Sequence, residues 1–300
     1  MKKKTYLFAL MAMVLTLGSC SADENGIRGE TSKYITVSTS ISNMTRVATD
    51  ANGGQTFEEG DEISVYAWTG DATVAPETRE RVVNNAINKL TNGSWVSTPQ
   101  MLWKNNRDKH YFIGVYPISA ISDLSAGEYT FDVNKQTESD LLVAVNKDGL
   151  SYNVDEQQPV PLTFTHVMAK LVVNLTYKNQ WGGIPTVEKV VVGNAAKEAT
   201  INYLTKVVTP STTAKEDFSL PEITENTKYV SVIIPQEDVK QLTIVIDGKN
   251  FVYDNGTPFK LESGKITTVN LEVGRDEIKL GDVKITDWEN GSTFSGEALN

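Results

Sequence analysis

In short runs along nearly the whole chain, apolar residues occupy every second position, and glycine, proline, asparagine and aspartate separate the runs. A period of two places successive side chains on opposite faces of an extended strand, so each run reads as a strand with one buried face. In residues 33–41, Ile35, Val37, Thr39 and Ile41 share a face. In 62–68, Ile63, Val65 and Ala67 lie opposite Tyr66 and Trp68. Further strands are expected at 111–116, 128–133 and 141–145. Residues 81–90 would suit either a strand or a helix face, but the Asn92-Gly93 that follows is a hairpin signal, which favours strand. A second series places Leu171, Val173, Leu175 and Tyr177 on one face, then Val230, Val232 and Ile234, then Leu242, Ile244 and Ile246, and finally Val269, Leu271 and Val273. Many short strands with regular turn signals and no long helical pattern predict an all-β fold of sandwiches rather than βαβ units.

The first twenty residues follow a different logic. Lys2, Lys3 and Lys4 precede an apolar run at 6–17 that is shorter than the roughly 20 residues a membrane-spanning helix needs. A charged start followed by a short apolar core is the pattern of a cleaved export signal. The sequence Leu17-Gly18-Ser19-Cys20 resembles a bacterial lipobox, in which the cysteine becomes the acylated first residue of a lipoprotein. Cys20 is the only cysteine, so no disulfide is available to it. It is therefore read as a lipid (palmitate) anchor; the competing reading is a free thiol near an ordinary cleavage site.

Charge and chemistry narrow the rest. The chain holds 28 basic and 38 acidic residues, and without the three leader lysines the balance is 25 against 38. Such a surface repels nucleic acid and anionic head groups. Only two histidines are present, His110 and His166, and no ligand set at zinc spacing accompanies them. No nucleophile elbow, phosphate loop, dinucleotide turn or calcium loop is found, so no enzyme activity and no cofactor are expected. His110 is expected at a strand edge beside aromatics, and His166 in a satisfied hydrogen bond at a domain joint. The adjacent acids Glu58, Glu59 and Asp61 read as a solvated turn, because neighbours in one loop do not straddle a sugar ring as a glycosidase pair must. The tryptophans Trp68, Trp95, Trp103, Trp181 and Trp288 are either core or a carbohydrate platform. About 280 residues after the leader suggest two domains, with the joint in the polar, proline-broken stretch 153–161.

The ordered set FEEGDEISVYAW, GSW, MLWK, YFIGVYP, ESDLLVA, LTFTHVMAKLVVNL and VKITDWENG resembles the fimbrillin family of Bacteroides-type bacteria over nearly the whole chain after the leader. The segment Ser21-Ala22-Asp23-Glu24-Asn25 also resembles the acidic tag that sends lipoproteins of such bacteria to the outer face of the outer membrane. The resemblance implies two tandem transthyretin-like β-sandwich domains and a structural, adhesive pilus subunit, exported as a surface-exposed outer-membrane lipoprotein and found in the fimbrium after maturation. Its implied partners are other pilus subunits, an outer-membrane lipid anchor and a host or glycan receptor. The corresponding division is 1–19 signal peptide, 20–32 tether, 33–163 first sandwich and 164–300 second sandwich with the tail.

In polymerising members a trypsin-like protease cuts after an arginine, and Arg46, in a small polar loop after the first strand, is the candidate site; Arg28, Arg79 and Arg81 are competitors. Loss of the first strand would open a groove for strand addition from another subunit. The tail at 276–288 is the candidate donor. Its Ile278 and Leu280 share one phase and Val283 and Ile285 the other, with Gly281 between them, which suggests a bend or a crossing between sheets. The alternative is a non-polymerising surface lipoprotein that binds glycans or anchors a pilus.

Overall fold

The computed structural model describes residues 33–42, 56–153 and 158–288. They are nearly all strand. In the first half these are β1 (Val37–Ile41), β2 (Glu62–Thr69), β3 (Arg81–Thr91), β4 (Ser94–Thr98), β5 (His110–Tyr116), β6 (Gly127–Thr130), β7 (Leu142–Leu150) and β8 (Val160–His166). The second half contributes β9 (Ala169–Tyr177), β10 (Val187–Ala196), β11 (Glu198–Asn202), β12 (Val207–Pro210), β13 (Lys215–Ser219), β14 (Glu222–Thr224), β15 (Lys228–Ile233), β16 (Gln236–Ile246), β17 (Lys249–Leu261), β18 (Lys265–Val273) and β19 (Ile278–Asp287). The longest α-helix among the described residues is the single turn Gln136–Ser139.

The first half is a seven-stranded sheet in the order β1-β8-β7-β5-β2-β3-β4. In the second, the five-stranded sheet β14-β15-β9-β18-β19 accompanies the four-stranded sheet β13-β10-β16-β17. A small sheet, β12-β11-β6, takes its third strand from the first half, with Glu128 opposite Thr200. One buried cluster lines one face of the seven-stranded sheet with Ile35, Val65, Phe112, Leu162 and Phe164. A second cluster starts on the other face with Tyr66, Trp68, Ile113 and Val115 and continues through the core of the second half. The sheet is thus covered on both sides. This corrects the half-buried reading of residues 62–68: Ile63, Val65 and Ala67 are buried, and so are Tyr66 and Trp68.

The ambiguous residues 81–90 form β3, joined to β4 through Asn92 (φ 51°) and Gly93 (φ 72°). Positive φ at both central positions is the geometry that the Asn-Gly pair is suited to supply. The acidic turn before β2 has a structural task here. The Glu59 carboxylate accepts from the backbone N–H groups of Asn92 (2.9 Å) and Gly93 (2.6 Å), and Asp61 accepts from the Glu58 N–H (2.7 Å).

Three further expectations differ. The strand expected at 128–133 ends at Thr130, and Phe131 continues inward as a buried ring against Phe218. His110 does not lie at a sheet edge: β5 runs between β2 and β7, and the residue is fully buried. In and just after β15 both faces are buried: Tyr229, Ser231 and Ile233 lie opposite the inward Val173, Leu171 and Ala169, and of the expected set Val232 and Ile234 are buried as well, with Val230 half-buried. Gln136 of the helical turn binds this strand, its amide oxygen accepting the Val232 N–H (2.7 Å) and its amide N–H donating to Ser231 (3.0 Å).

Candidate strand-exchange site

Two terminal strands carry the candidate chemistry. The first, β1, runs parallel to β8 with Val37 opposite Val160, Thr39 opposite Leu162 and Ile41 opposite Phe164. Val160 N–H donates to the Thr36 carbonyl (2.8 Å), and Ser42 N–H donates to the Phe164 carbonyl (2.8 Å). The segment also reaches the far end of the sheet, where Ile35 N–H donates to the Met101 carbonyl (2.9 Å) and Trp103 N–H to the Lys33 carbonyl (3.2 Å). The curled sheet is closed in this way by its N-terminal strand. The alternation expected for 33–41 holds, with Ile35, Val37 and Ile41 buried and Thr39 half-buried. Thr39 accepts the indole N–H of Trp95 (3.0 Å), and Ser40 donates to Thr163 (3.2 Å).

Beside β1 lies a cleft of about 700 Å³. Phe57, Leu90 and Trp95 form its opposite side, and Phe57 stands edge-on to Trp95 (5.3 Å) and to Phe164 (5.1 Å). Burying three aliphatic side chains contributes roughly 1.5–3 kcal/mol each. A chain without β1 would expose that surface together with the outer backbone groups of β8, and such an edge pairs readily with another strand.

The second terminal strand, β19, is the edge of its sheet and pairs antiparallel with β18. Ile278 lies opposite Val273, Leu280 opposite Leu271, Val283 opposite Val269 and Ile285 opposite Thr267. The register shifts between Val269 and Leu271, so that Gly281 and Asp282 together face Asn270. This is a bulge, two residues against one. It cancels the change of phase in the sequence, and all four apolar side chains face the same side as Val269, Leu271 and Val273. The tail therefore stays in one sheet here: of the bend or crossing that the sequence suggested at Gly281, the bulge corresponds to the bend. Gly281 fits the tight point, since a Cβ there would lie 3.2 Å from the Asn270 carbonyl oxygen.

Of the other residues singled out in the sequence, Cys20, Arg28 and Arg46 lie outside the described residues. Arg79 is exposed and paired with Glu77. Arg81 is tied down by bonds to Asn84, to the Ile121 carbonyl and to the Ser122 carbonyl, which makes its strand a poor protease substrate. Trp68 and Trp288 are buried, and Trp95, Trp103 and Trp181 are half-buried, so the five do not form one exposed platform; Trp95 lines the cleft beside β1. His110 accepts the Lys104 N–H (3.1 Å) and stands edge-on to Trp103 (5.0 Å); burial lowers its pKa below 6.5. His166 Nδ1 lies 2.8 Å from Asp140 Oδ1, the bond expected for it. Its stacking partner Trp288 gave no signal in the sequence beyond its type. No group of three or more His, Cys, Asp or Glu side chains suited to a metal occurs among the described residues.

The fimbrillin-like family model matches residues 45–288. Over 324 aligned residues the chain is 25% identical to "Putative fimbrium subunit Fim1C" of Bacteroides uniformis, covering 99% of this chain and 100% of that one. Two solved structures, each named "putative cell adhesion protein", share the fold. The one from Bacteroides uniformis has a TM-score of 0.62 at 19% identity, and the one from Bacteroides ovatus 0.63 at 18%, each covering 85% of this chain and 98% of the other. A fimbrial protein from Bacteroides vulgatus aligns with a TM-score of 0.55 at 13% identity, covering 86% of this chain and all of the other. With 244 of its 300 residues inside the matched range, the chain belongs to the fimbrillin-like family.

Proposed function

We propose that this chain is a structural pilus subunit that is exported as a lipoprotein through Cys20 and assembles by exchange of its terminal strands. The family consists of fimbrial and adhesion proteins and is not an enzyme family. The observation that carries the assembly reading is the position of β1. It is a short strand whose buried Val37 and Ile41, with the buried Ile35 just ahead of it, close an otherwise complete sheet, and Arg46 follows it by five residues in the sequence.

In this reading a cut after Arg46 detaches β1 together with the lipid. The freed β8 edge then accepts the 276–288 tail of another subunit, whose Ile278, Leu280, Val283 and Ile285 already share one face. Residues 1–19 are the signal peptide and 20–32 the tether; the division into sandwich domains at 33–163 and 164–300 would cut through β8, so the boundary belongs after His166, the last residue of that strand. The mature subunit stands in the fimbrium at the outer-membrane surface, with other subunits as its partners.

The test is the intact mass and N-terminal sequence of the protein taken from the cell surface. A lipid-free chain starting at Val47 is expected in pili. A chain that starts at acylated Cys20 in assembled pili would overturn proteolytic release and leave the role of a retained anchor.

A further inference from the structure

Burial along the C-terminal strand is uneven. Ile278 and Leu280 are half-buried, whereas Val283 and Ile285 are 40% and 39% exposed. Trp288, one residue past the strand, is only 2% exposed. Its N–H donates to the Gly264 carbonyl (3.0 Å), and its indole lies flat on the His166 imidazole, with centroids 4.0 Å apart and planes 7° from parallel. The Lys170 ammonium sits over the indole ring, 5.3 Å from its centroid. Asp140 fixes the imidazole through Nδ1, while Nε2 is buried without a hydrogen-bond partner, so stacking on Trp288 is the other restraint on that ring.

The groups around Trp288 thus come largely from outside its own hairpin. Asp140 precedes β7, His166 ends β8 and Lys170 lies on β9. β8 is also the strand that seats β1, and Phe164, which accepts the Ser42 N–H, is two residues from His166. An edge strand with partly covered side chains frays from its free end unless that end is fastened. When β1 is absent, β8 becomes a sheet edge itself, and its last residues lose part of their hydrogen-bonded support.

We propose that the His166–Trp288 stack is a clasp that retains the C-terminal strand on its own subunit, and that its grip depends on β1 being seated on β8. The significance for assembly rests on the strand-exchange reading, since a subunit that still holds β1 would keep its donor docked and a subunit that has lost β1 would release it.

Hydrogen exchange of the full-length monomer tests the clasp. Trp288→Ala is expected to speed exchange at residues 278–287 by on the order of a hundredfold while β2 and β5 keep their protection. Trp288→Phe, which preserves stacking, is expected to stay much closer to the parent chain. His166→Ala leaves the tryptophan in place and is expected to loosen the same residues, which keeps the test open if Trp288→Ala does not fold. Unchanged exchange at 278–287, or equal acceleration in every strand, would overturn the clasp. Ile41→Ala is expected to speed exchange in β8 and β19 together, and a change confined to β8 would overturn the dependence on β1. These readouts are made on monomers. If the variants loosen β19 as expected but deletion of 276–288 leaves polymer length unchanged, the clasp stands and the donor role falls.

Discussion

Replacing both Ile35 and Ile41 by alanine removes two of the three buried anchors of the segment 33–42 that carries β1 and leaves the β1–β8 backbone ladder intact. An isoleucine-to-alanine change in a packed core costs about 2–5 kcal/mol. Ile35, 1% exposed and bonded at its N–H to Met101, belongs near the upper end; Ile41, 7% exposed at the strand's end beside the cleft, belongs near the lower end. Their neighbours differ, so the two costs should nearly add, to about 5 kcal/mol or more. Ordering the segment costs conformational entropy of similar size to what its burial returns, so the net hold on β1 is a small difference. The double variant should therefore populate a state in which β1 is detached and the remaining sheets are folded. Two probes report this: hydrogen exchange at residues 35–42, and the fluorescence of Trp95, whose indole N–H bonds to Thr39. The exposed neighbour Thr36→Ala serves as control, with an expected change within about 0.5 kcal/mol. If the double variant matches that control in urea midpoint and in β1 exchange, the burial argument for β1 is refuted.

Other consequences are more local. A Cβ added to Gly114 would lie 2.7 Å from the Phe164 ring and 3.2 Å from Leu162, so Gly114→Ala should cost about 1–3 kcal/mol in urea unfolding, with the loss concentrated where β1 meets β8. Glu59→Ala removes both acceptors from the Asn92-Gly93 turn and should cost about 1 kcal/mol, seen as faster exchange in the β3–β4 hairpin, with Glu59→Gln losing less. The lowered pKa of His110 makes stability fall as pH drops below 6.5, because the unfolded chain then takes up a proton that the buried ring resists, and the loss levels off below the folded-state value. Urea midpoints at pH 7.5 and 5.5 should differ less in His110→Gln than in the parent, and equal slopes would contradict that assignment.

What the sequence disclosed is tied to how local each feature is. The alternation at 33–41, the inward residues of β9 and β18 and the Asn92-Gly93 hairpin need only neighbours along the chain, and all were readable. That both faces of β15 are buried is not legible in its alternation, because it depends on groups distant in the chain such as Gln136, 96 residues away, which accepts the Val232 N–H. His110 was placed at an edge because its burial depends on β2 and β7 flanking β5, which no short window contains. The pairing of β6 with β11 is hidden for the same reason. In the tail, the change of phase at Gly281 was visible, but its meaning depends on the partner strand: one residue of β18, Asn270, faces two of β19, and the bulge brings the four apolar residues to one side. For Trp288 the sequence favours core over a carbohydrate platform, but its partner is not legible there, since His166 lies 122 residues earlier in the chain.

The central claim is that the place of β1 on β8 is taken by a strand of another subunit in the assembled pilus. Cryo-electron microscopy of isolated pili shows directly which residues lie against Val160–His166. The account predicts residues from the 276–288 tail of a neighbouring subunit there, with β1 gone. A subunit whose own β1 remains seated, with Ile41 still opposite Phe164, would contradict it.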